Sequence, residues 1–129
     1  MWDWIPGVRV GAFVFARSLP GNVGVDLEHL PPQEDGTDWV CYEVGEHLAR
    51  IAVEDRLVVS VECFRSLLLR GQELLTRPIG EVNALLSPKA LLAERYENGD
   101  ERWECDALGI TLWVEGGCVT SASVSSIDE

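Results

Sequence analysis

The chain has 129 residues, 47% of them hydrophobic, and its 22 acidic and 10 basic side chains give a formal net charge of −12. This length is typical of one domain with a core of its own. The acidity excludes a nucleic-acid partner, because phosphate binding needs a basic surface. No apolar stretch reaches the roughly 20 residues of a membrane span, and residues 1–7 lack the features of a secretory signal. We therefore expect a cytoplasmic protein with no membrane partner.

The first half of the chain is predicted to begin with a strap at residues 1–7 and a strand at 8–15. Apolar side chains have helical spacing over 19–30, but Gly21 and Gly24 lower the helix propensity of this segment. The rest of this half is predicted to be a loop, a strand and the two arms of a hairpin, at residues 33–38, 39–44, 48–53 and 57–63.

The second half is predicted to repeat this order. Segment 64–76 is ambiguous between strand and helix, and its position favours the strand that opens a second unit. A helix is predicted over 78–86, with Pro78 near its start and Ile79, Val82 and Leu86 on one face. A loop, a strand and a hairpin follow, at residues 97–100, 102–108, 110–114 and 118–124.

A short pattern occurs twice, about 60 residues apart: Trp39-Val40-Cys41 followed by Gly45, and Trp103-Glu104-Cys105 followed by Gly109. Such self-similarity indicates that one supersecondary unit is used twice. We predict a single domain, 1–129, made of two repeats at about 8–64 and 65–126. The expected fold class is α+β, with two tandem strand-helix-three-strand repeats, an antiparallel sheet, and helices packed on one face.

Strand alternation predicts which residues share a face of the sheet. Both faces of each hairpin then carry apolar residues, so both need cover. The opposite repeat, the N-terminal strap, a second copy of the chain or a partner protein are the candidates. Trp113 is the large aromatic residue of the second face, with Thr111 and Glu115 beside it. Aromatic residues concentrate binding energy in interfaces, so we predict a binding surface here.

No catalytic residue, cofactor or metal site is predicted. Cys41 and Cys105 follow a Trp by two positions and have the pattern of core thiols, and His29 and His47 lack metal-ligand spacing. No phosphate-binding glycine loop or hydrolase serine motif is present. The carboxylates indicate a solvated surface, or an acidic patch complementary to a basic protein. That patch consists of Asp100, Glu101, Glu104 and Asp106.

Four stretches resemble a group of small uncharacterised bacterial α/β proteins: residues 10–15 leading into 21–23, residues 70–75, residues 80–82, and residues 106–114. The resemblance implies a fold and no particular function. The duplicated layout is also similar to that of the β-lactamase inhibitor protein, which presents an aromatic-rich concave sheet to an enzyme. In being small and acidic the chain resembles immunity proteins, which are often non-catalytic.

These observations favour a non-enzymatic protein-binding module, of the immunity or inhibitor type, acting on a basic partner. One alternative is an enzyme or small-ligand-binding protein with a site between the repeats, which a cleft lined by His47, Cys63 or several carboxylates would favour. The other is a self-associating structural protein, in which a homodimer covers the second face.

Overall fold

The computed structural model describes residues 2–19, 27–31 and 39–126. Of these residues 51% lie in strands and only 6% in a helix. The expected α+β class is therefore wrong, because one short helix cannot form a layer on the sheet. The protein is mostly β. No helix in the described ranges is long and apolar enough to cross a membrane.

An antiparallel sheet of eight strands forms the centre of the molecule. Its order is β10-β11-β12-β13-β7-β6-β5-β4, and a three-stranded sheet β1-β2-β3 and a small hairpin β8-β9 accompany it. The elements are β1 (Trp4–Ile5), β2 (Arg9–Val10), β3 (Phe13–Val14), β4 (Leu27–His29), β5 (Val40–Val44), β6 (Ala49–Glu54), β7 (Leu57–Cys63), β8 (Leu68–Leu69), β9 (Gln72–Glu73), α1 (Ile79–Leu85), β10 (Leu91–Arg95), β11 (Glu101–Cys105), β12 (Ile110–Glu115) and β13 (Cys118–Ser125).

Each half of the large sheet is a four-stranded meander, and the two halves meet where β7 pairs with β13. Val40 pairs with Val53 and Glu101 pairs with Val114, so equivalent positions lie 61 residues apart. This register places Trp103 at the position of Tyr42, and not at that of Trp39. The repeated Trp-x-Cys pattern is therefore three residues out of register with the sheet.

A β-bulge in each hairpin decides which side chains enter the core. The register shifts between Ala52 and Val53 in the first hairpin, and between Trp113 and Val114 in the second. Each bulge inserts one residue and reverses the facing of every residue beyond it. The apolar residues after the bulges, Val61, Cys63, Ala122 and Val124, consequently join the core and are fully buried. Apolar side chains thus collect on one face, and the expectation of two apolar faces is wrong.

The smaller elements cover that core face. Trp4, Phe13, Leu69 and Val82, from β1, β3, β8 and α1, all belong to the main buried cluster. The backbone of Val58 exchanges hydrogen bonds with the segment after β3, from Ala16 N at 2.9 Å and to Arg17 O at 2.8 Å.

The second half uses the same connection at the equivalent strand position. Thr76 N donates to Val119 O at 2.7 Å, and Val119 N donates to Arg77 O at 2.8 Å. In each half, a segment from outside the hairpin therefore hydrogen-bonds to the residue beside the bulge. The bulge interrupts the pairing of the two strands, and the backbone groups left there need other hydrogen-bond partners.

Other predicted elements differ from the structure in detail. The strand predicted at 8–15 forms the β2-β3 hairpin, and segment 64–76 forms the β8-β9 hairpin, because Gly11 and Gly71 have positive φ angles and turn the chain. The helix predicted over 19–30 falls mostly outside the described residues, and its last part is strand β4. The helix predicted over 78–86 is confirmed as α1, which begins after Pro78 and buries Val82. Strand β10 was not predicted.

Candidate functional site

The face of the eight-stranded sheet opposite the core, here called the open face, is the candidate site. The described hairpins and the helix contribute their buried side chains to the core on the other side. The open face is mostly polar, and its residues are half-buried or exposed, apart from the small buried residues Cys41 and Ala52. It is therefore the surface of the sheet that the described part of the chain leaves accessible.

A row of side chains crosses the open face from one edge of the sheet to the other, and we call it the charged row. Directly opposed residues in adjacent strands share a face, so the strand register defines its members. They are Glu28, Glu43, Arg50, Glu62, Ser123, Thr111, Glu104 and Leu91. Four of the eight are glutamates, so the row is acidic.

Arg102 and Trp113 are paired across β11 and β12 on the same face. The Arg102 guanidinium lies 5.9 Å from the centre of the Trp113 ring, a distance at which a cation is attracted to an indole face. Arg102 also contacts the carboxylates of Glu94, at 3.6 Å, and Glu104, at 3.3 Å. The indole Nε1 of Trp113 is buried and has no hydrogen-bond partner in the described part of the chain. These contacts hold the ring and the guanidinium in place on the sheet.

The residues predicted as one binding surface lie around two separate depressions. Trp113, Glu115, Asp100 and Glu101 line a depression of about 230 Å³, beside the β10-β11 and β12-β13 turns. The other three predicted residues line a depression of about 430 Å³ at the opposite end of these strands, and they are Thr111, Glu104 and Asp106. The structure therefore brings the seven residues to one half of the sheet, but not to one site.

Glu101 is already engaged within the hairpin. Its carboxylate accepts hydrogen bonds from Arg95 Nε at 2.8 Å and Arg95 Nη2 at 2.6 Å, and from the indole of Trp103 at 3.2 Å. These hydrogen bonds from Arg95 and Trp103 lower the pKa of Glu101. Glu101 also pairs with Val114, which places it on the core side of the sheet. Its charge is thus largely satisfied internally.

The residues that could indicate chemistry between the repeats lie apart. Cys63 is fully buried on the core face, and burial raises the pKa of its thiol to about 12. His47 stacks on Phe64, with ring centres 4.1 Å apart, and its Nδ1 is 3.2 Å from Glu43. Within the described ranges no three His, Cys, Asp or Glu side chains come together as a metal-binding group.

Sequence reasoning missed Arg50, Glu62 and Arg102, the half-buried charged residues of the open face. Arg50 pairs with Glu62, and burial raises the pKa of Glu62 against the lowering effects of Arg50, His47 and the Ser123 hydroxyl. Without the bulge, simple counting from the turn sets Arg50 opposite Val61. The bulge therefore sets the face and the partner of Glu62, and the sequence does not mark it, whereas the faces of Arg50 and Arg102 follow from simple alternation.

Fold and site together define a mostly β protein with a covered core face and an acidic open face that carries an Arg-Trp pair. In comparisons with known proteins the chain matches no family model, no curated protein and no solved structure.

Proposed function

We propose that this chain is a non-enzymatic protein-binding module, of the inhibitor or immunity type, that holds a basic partner protein on its open face. The observation that supports this most directly is the charge of that face. Its described strands present seven glutamates and two arginines, a net charge of −5, and they are Glu28, Glu43, Glu54, Glu62, Glu94, Glu104, Glu115, Arg50 and Arg102. An acidic surface of this kind steers a basic protein toward it and rejects acidic ones.

The Arg102-Trp113 pair supports the same proposal. Interfaces are enriched in Trp and Arg, and such residues contribute most when they lie in a patch that becomes desolvated. Trp113 is half-buried and lines a depression together with Asp100 and Glu115, so a partner could cover it while its basic side chains meet these acids. Self-association through this face is less favourable, because two copies would bring like charges together.

A photo-crosslinking experiment tests the proposal in the source cell. A benzophenone amino acid placed at Leu91, which is 74% exposed at the end of the charged row, should capture a basic protein. The control places the same group at exposed Gln72 in the β8-β9 hairpin, which packs on the core side. The captured protein, once purified, should bind the chain with an affinity that falls as the NaCl concentration rises.

Four results would contradict the proposal. They are no capture from Leu91, equal capture from Leu91 and Gln72, a captured partner whose binding does not depend on salt, and an adduct consisting of two copies of the chain. The last result would establish self-association in its place.

A further inference from the structure

A hollow lies on the open face near the seam between the two halves of the sheet. It has a volume of about 190 Å³, and its lining comes from β6, β7 and β13 and from the start of β5. The lining residues are Trp39, Cys41, Arg50, Ala52, Ser60, Glu62 and Ser123. Its size is that of one long side chain and not of a cofactor, since small-molecule sites are typically about 300–1,000 Å³.

The hollow exists because the two halves differ at equivalent positions. In the second half Trp113 pairs with Arg102 and Ser121. In the first half the residue at the position of Trp113 is Ala52, and it pairs with Cys41 and Ser60. The first half thus has the methyl group of Ala52 and the thiol of Cys41 at the positions where the second half has an indole and a guanidinium. The missing volume is what opens the hollow.

The walls of the hollow include a carboxylate and an aromatic ring. Glu62 places a half-buried carboxylate in it, and burial raises the pKa of this carboxylate. Trp39 forms another wall, and its indole Nε1 donates a hydrogen bond to Glu54. A carboxylate together with an aromatic ring is the combination that recognises an organic cation.

The charge around the hollow favours the same kind of ligand. Glu43, Arg50 and Glu62 are consecutive members of the charged row, with a net charge of −1. The Arg50 guanidinium lies 5.8 Å from the centre of the Phe64 ring, so this cation is held by a contact at the side of the hollow. Glu54, which accepts the hydrogen bond from Trp39, adds a further negative charge beside the hollow. An incoming cation would therefore reduce the negative charge and offset the cost of holding Glu62 ionised while partly buried.

We infer that the hollow receives a single arginine side chain of the basic partner, whose guanidinium pairs with Glu62 and stacks on Trp39. Arginine is favoured over lysine because its planar guanidinium can stack on an indole and donate two parallel hydrogen bonds to a carboxylate. This inference rests on the proposed function and deepens it, because it names the anchor residue that the partner must supply.

The inference can be tested with a defined probe, before any partner is known. Isotope-labelled protein is titrated with N-acetyl-arginine amide while the backbone amide signals are followed by NMR. The matched probe is N-acetyl-citrulline amide, which has the same shape and no charge. We expect saturable shifts around Ala52, Ser60 and Glu62 with the arginine probe alone.

Two variants and their controls locate the site. Glu62→Gln should weaken binding of the arginine probe at least about tenfold, because a charge-assisted hydrogen bond is lost. Ala52→Trp should abolish binding by filling the hollow with the residue that the second half already accommodates. The controls make the same changes on exposed positions of α1, as Glu81→Gln and Ala84→Trp, and should leave binding unchanged.

The inference is overturned if the arginine probe causes no shifts, if citrulline amide causes the same shifts, or if binding persists in Ala52→Trp. Its failure is distinguishable from failure of the proposed function. If a captured basic partner binds the Ala52→Trp variant as tightly as the unmodified chain, the arginine anchor is ruled out. The proposed function is not affected by that result. If the arginine probe binds in the hollow but no partner is captured from Leu91, the hollow is supported as a cation-binding site and the proposed function is ruled out.

Discussion

Glu62 and Cys63 are neighbours in β7, and their side chains point to opposite faces of the sheet. Both have raised pKa values, and for both the main cause is burial. Glu62 retains charged and polar neighbours on the open face, whereas Cys63 lies in an apolar core with Glu62 and Glu73 as nearby negative charges. Glu62 therefore affects how stability depends on pH, and Cys63 has a thiol of low reactivity.

We expect Cys63 to be unreactive in the folded protein. Thiolates react and thiols do not, and with its pKa raised to about 12 the Cys63 thiol stays protonated at pH 8. Cys118 is only half-buried and should be alkylated first by iodoacetamide, as mapped by mass spectrometry over time. The contribution of Cys63 to stability is fully present below the unfolded pKa of about 8.5 and is lost as the pH rises toward 12. Alkylation of Cys63 as fast as that of Cys118 would contradict the expectation that Cys63 is unreactive.

The carboxylates of Glu62 and Glu101 should give pH dependences of opposite sign. The pKa of Glu62 is raised, so its contribution to stability is present below its unfolded pKa and is lost as the pH rises through the folded pKa. The pKa of Glu101 is lowered, so its contribution is present above the unfolded pKa and is lost as the pH falls through the folded pKa.

Denaturant unfolding of Glu62→Gln and Glu101→Gln between pH 3 and pH 8 measures both effects. Relative to the unmodified chain, Glu62→Gln should gain stability as the pH rises, and Glu101→Gln should lose it. Parallel profiles of the two variants would show that the assigned environments are wrong.

Among the elements, the hairpins show how far the sequence determines the fold. The hairpin arms predicted at 48–53 and 57–63 and at 110–114 and 118–124 are confirmed, and the residues left between them form turns at Asp55-Arg56 and Gly116-Gly117. Turn chemistry and alternation are local properties of the sequence. The bulge beyond each turn depends on the segments that hydrogen-bond to Val58 and Val119 from elsewhere in the chain. Local patterns do not contain this information, so the faces were assigned wrongly.

The same reason explains why the candidate site was only partly predicted. Trp113, Thr111 and Glu104 were expected on one surface, and the register places them on the open face. Alternation with Ile51 and Val53 already places Arg50 on that face, whereas Glu62 reaches it only because of the bulge in β7. Strand β10 was missed because Leu91 and Leu92, both exposed, interrupt the alternation that marks a half-buried strand.

The two hairpin turns allow a reciprocal test of backbone strain. Asp55 and Arg56 have φ angles of 51° and 68°, and Gly116 and Gly117 have φ angles of 60° and 82°. A non-glycine residue in this left-handed region costs roughly 1–2 kcal/mol. Arg56→Gly should therefore raise the free energy of unfolding by about 1 kcal/mol, and Gly117→Arg should lower it by a similar amount.

Urea denaturation of the two variants measures these changes. A steric clash at Cβ does not contribute to the effect of Gly117→Arg, because a Cβ at Gly117 would meet no atom within 4 Å. If the free energy of unfolding changed in the same direction in both variants, the backbone conformation of the turns would not be the cause of the changes.

At the scale of the whole molecule, the two halves share a single core. Val61 and Cys63 of the first half and Ala122 and Val124 of the second are all fully buried at the seam and belong to one cluster. Neither half can separate without exposing them, so we expect the halves to unfold together. The open face at the seam is then a rigid platform, on which the Arg102-Trp113 pair and the hollow keep fixed positions relative to each other.

Salt should act in opposite directions on the fold and on the proposed complex. A net charge of −12 makes the compact chain repel itself, and this repulsion is screened as the Debye length falls. Raising NaCl from about 10 mM to about 200 mM should therefore raise the melting temperature, by about 2 °C if screening contributes roughly 0.5 kcal/mol. Binding of a basic partner to the acidic open face relies on the same unscreened charge, so its association rate should fall over this range.

Calorimetry and stopped-flow mixing in matched buffers separate the two effects. The variant Glu81→Gln, with Glu97→Gln, removes two exposed charges outside the charged row and should reduce the salt effect on melting more than the effect on binding. A melting temperature that falls with added salt would show that local ion pairs, such as Arg95 with Glu101, outweigh the overall repulsion.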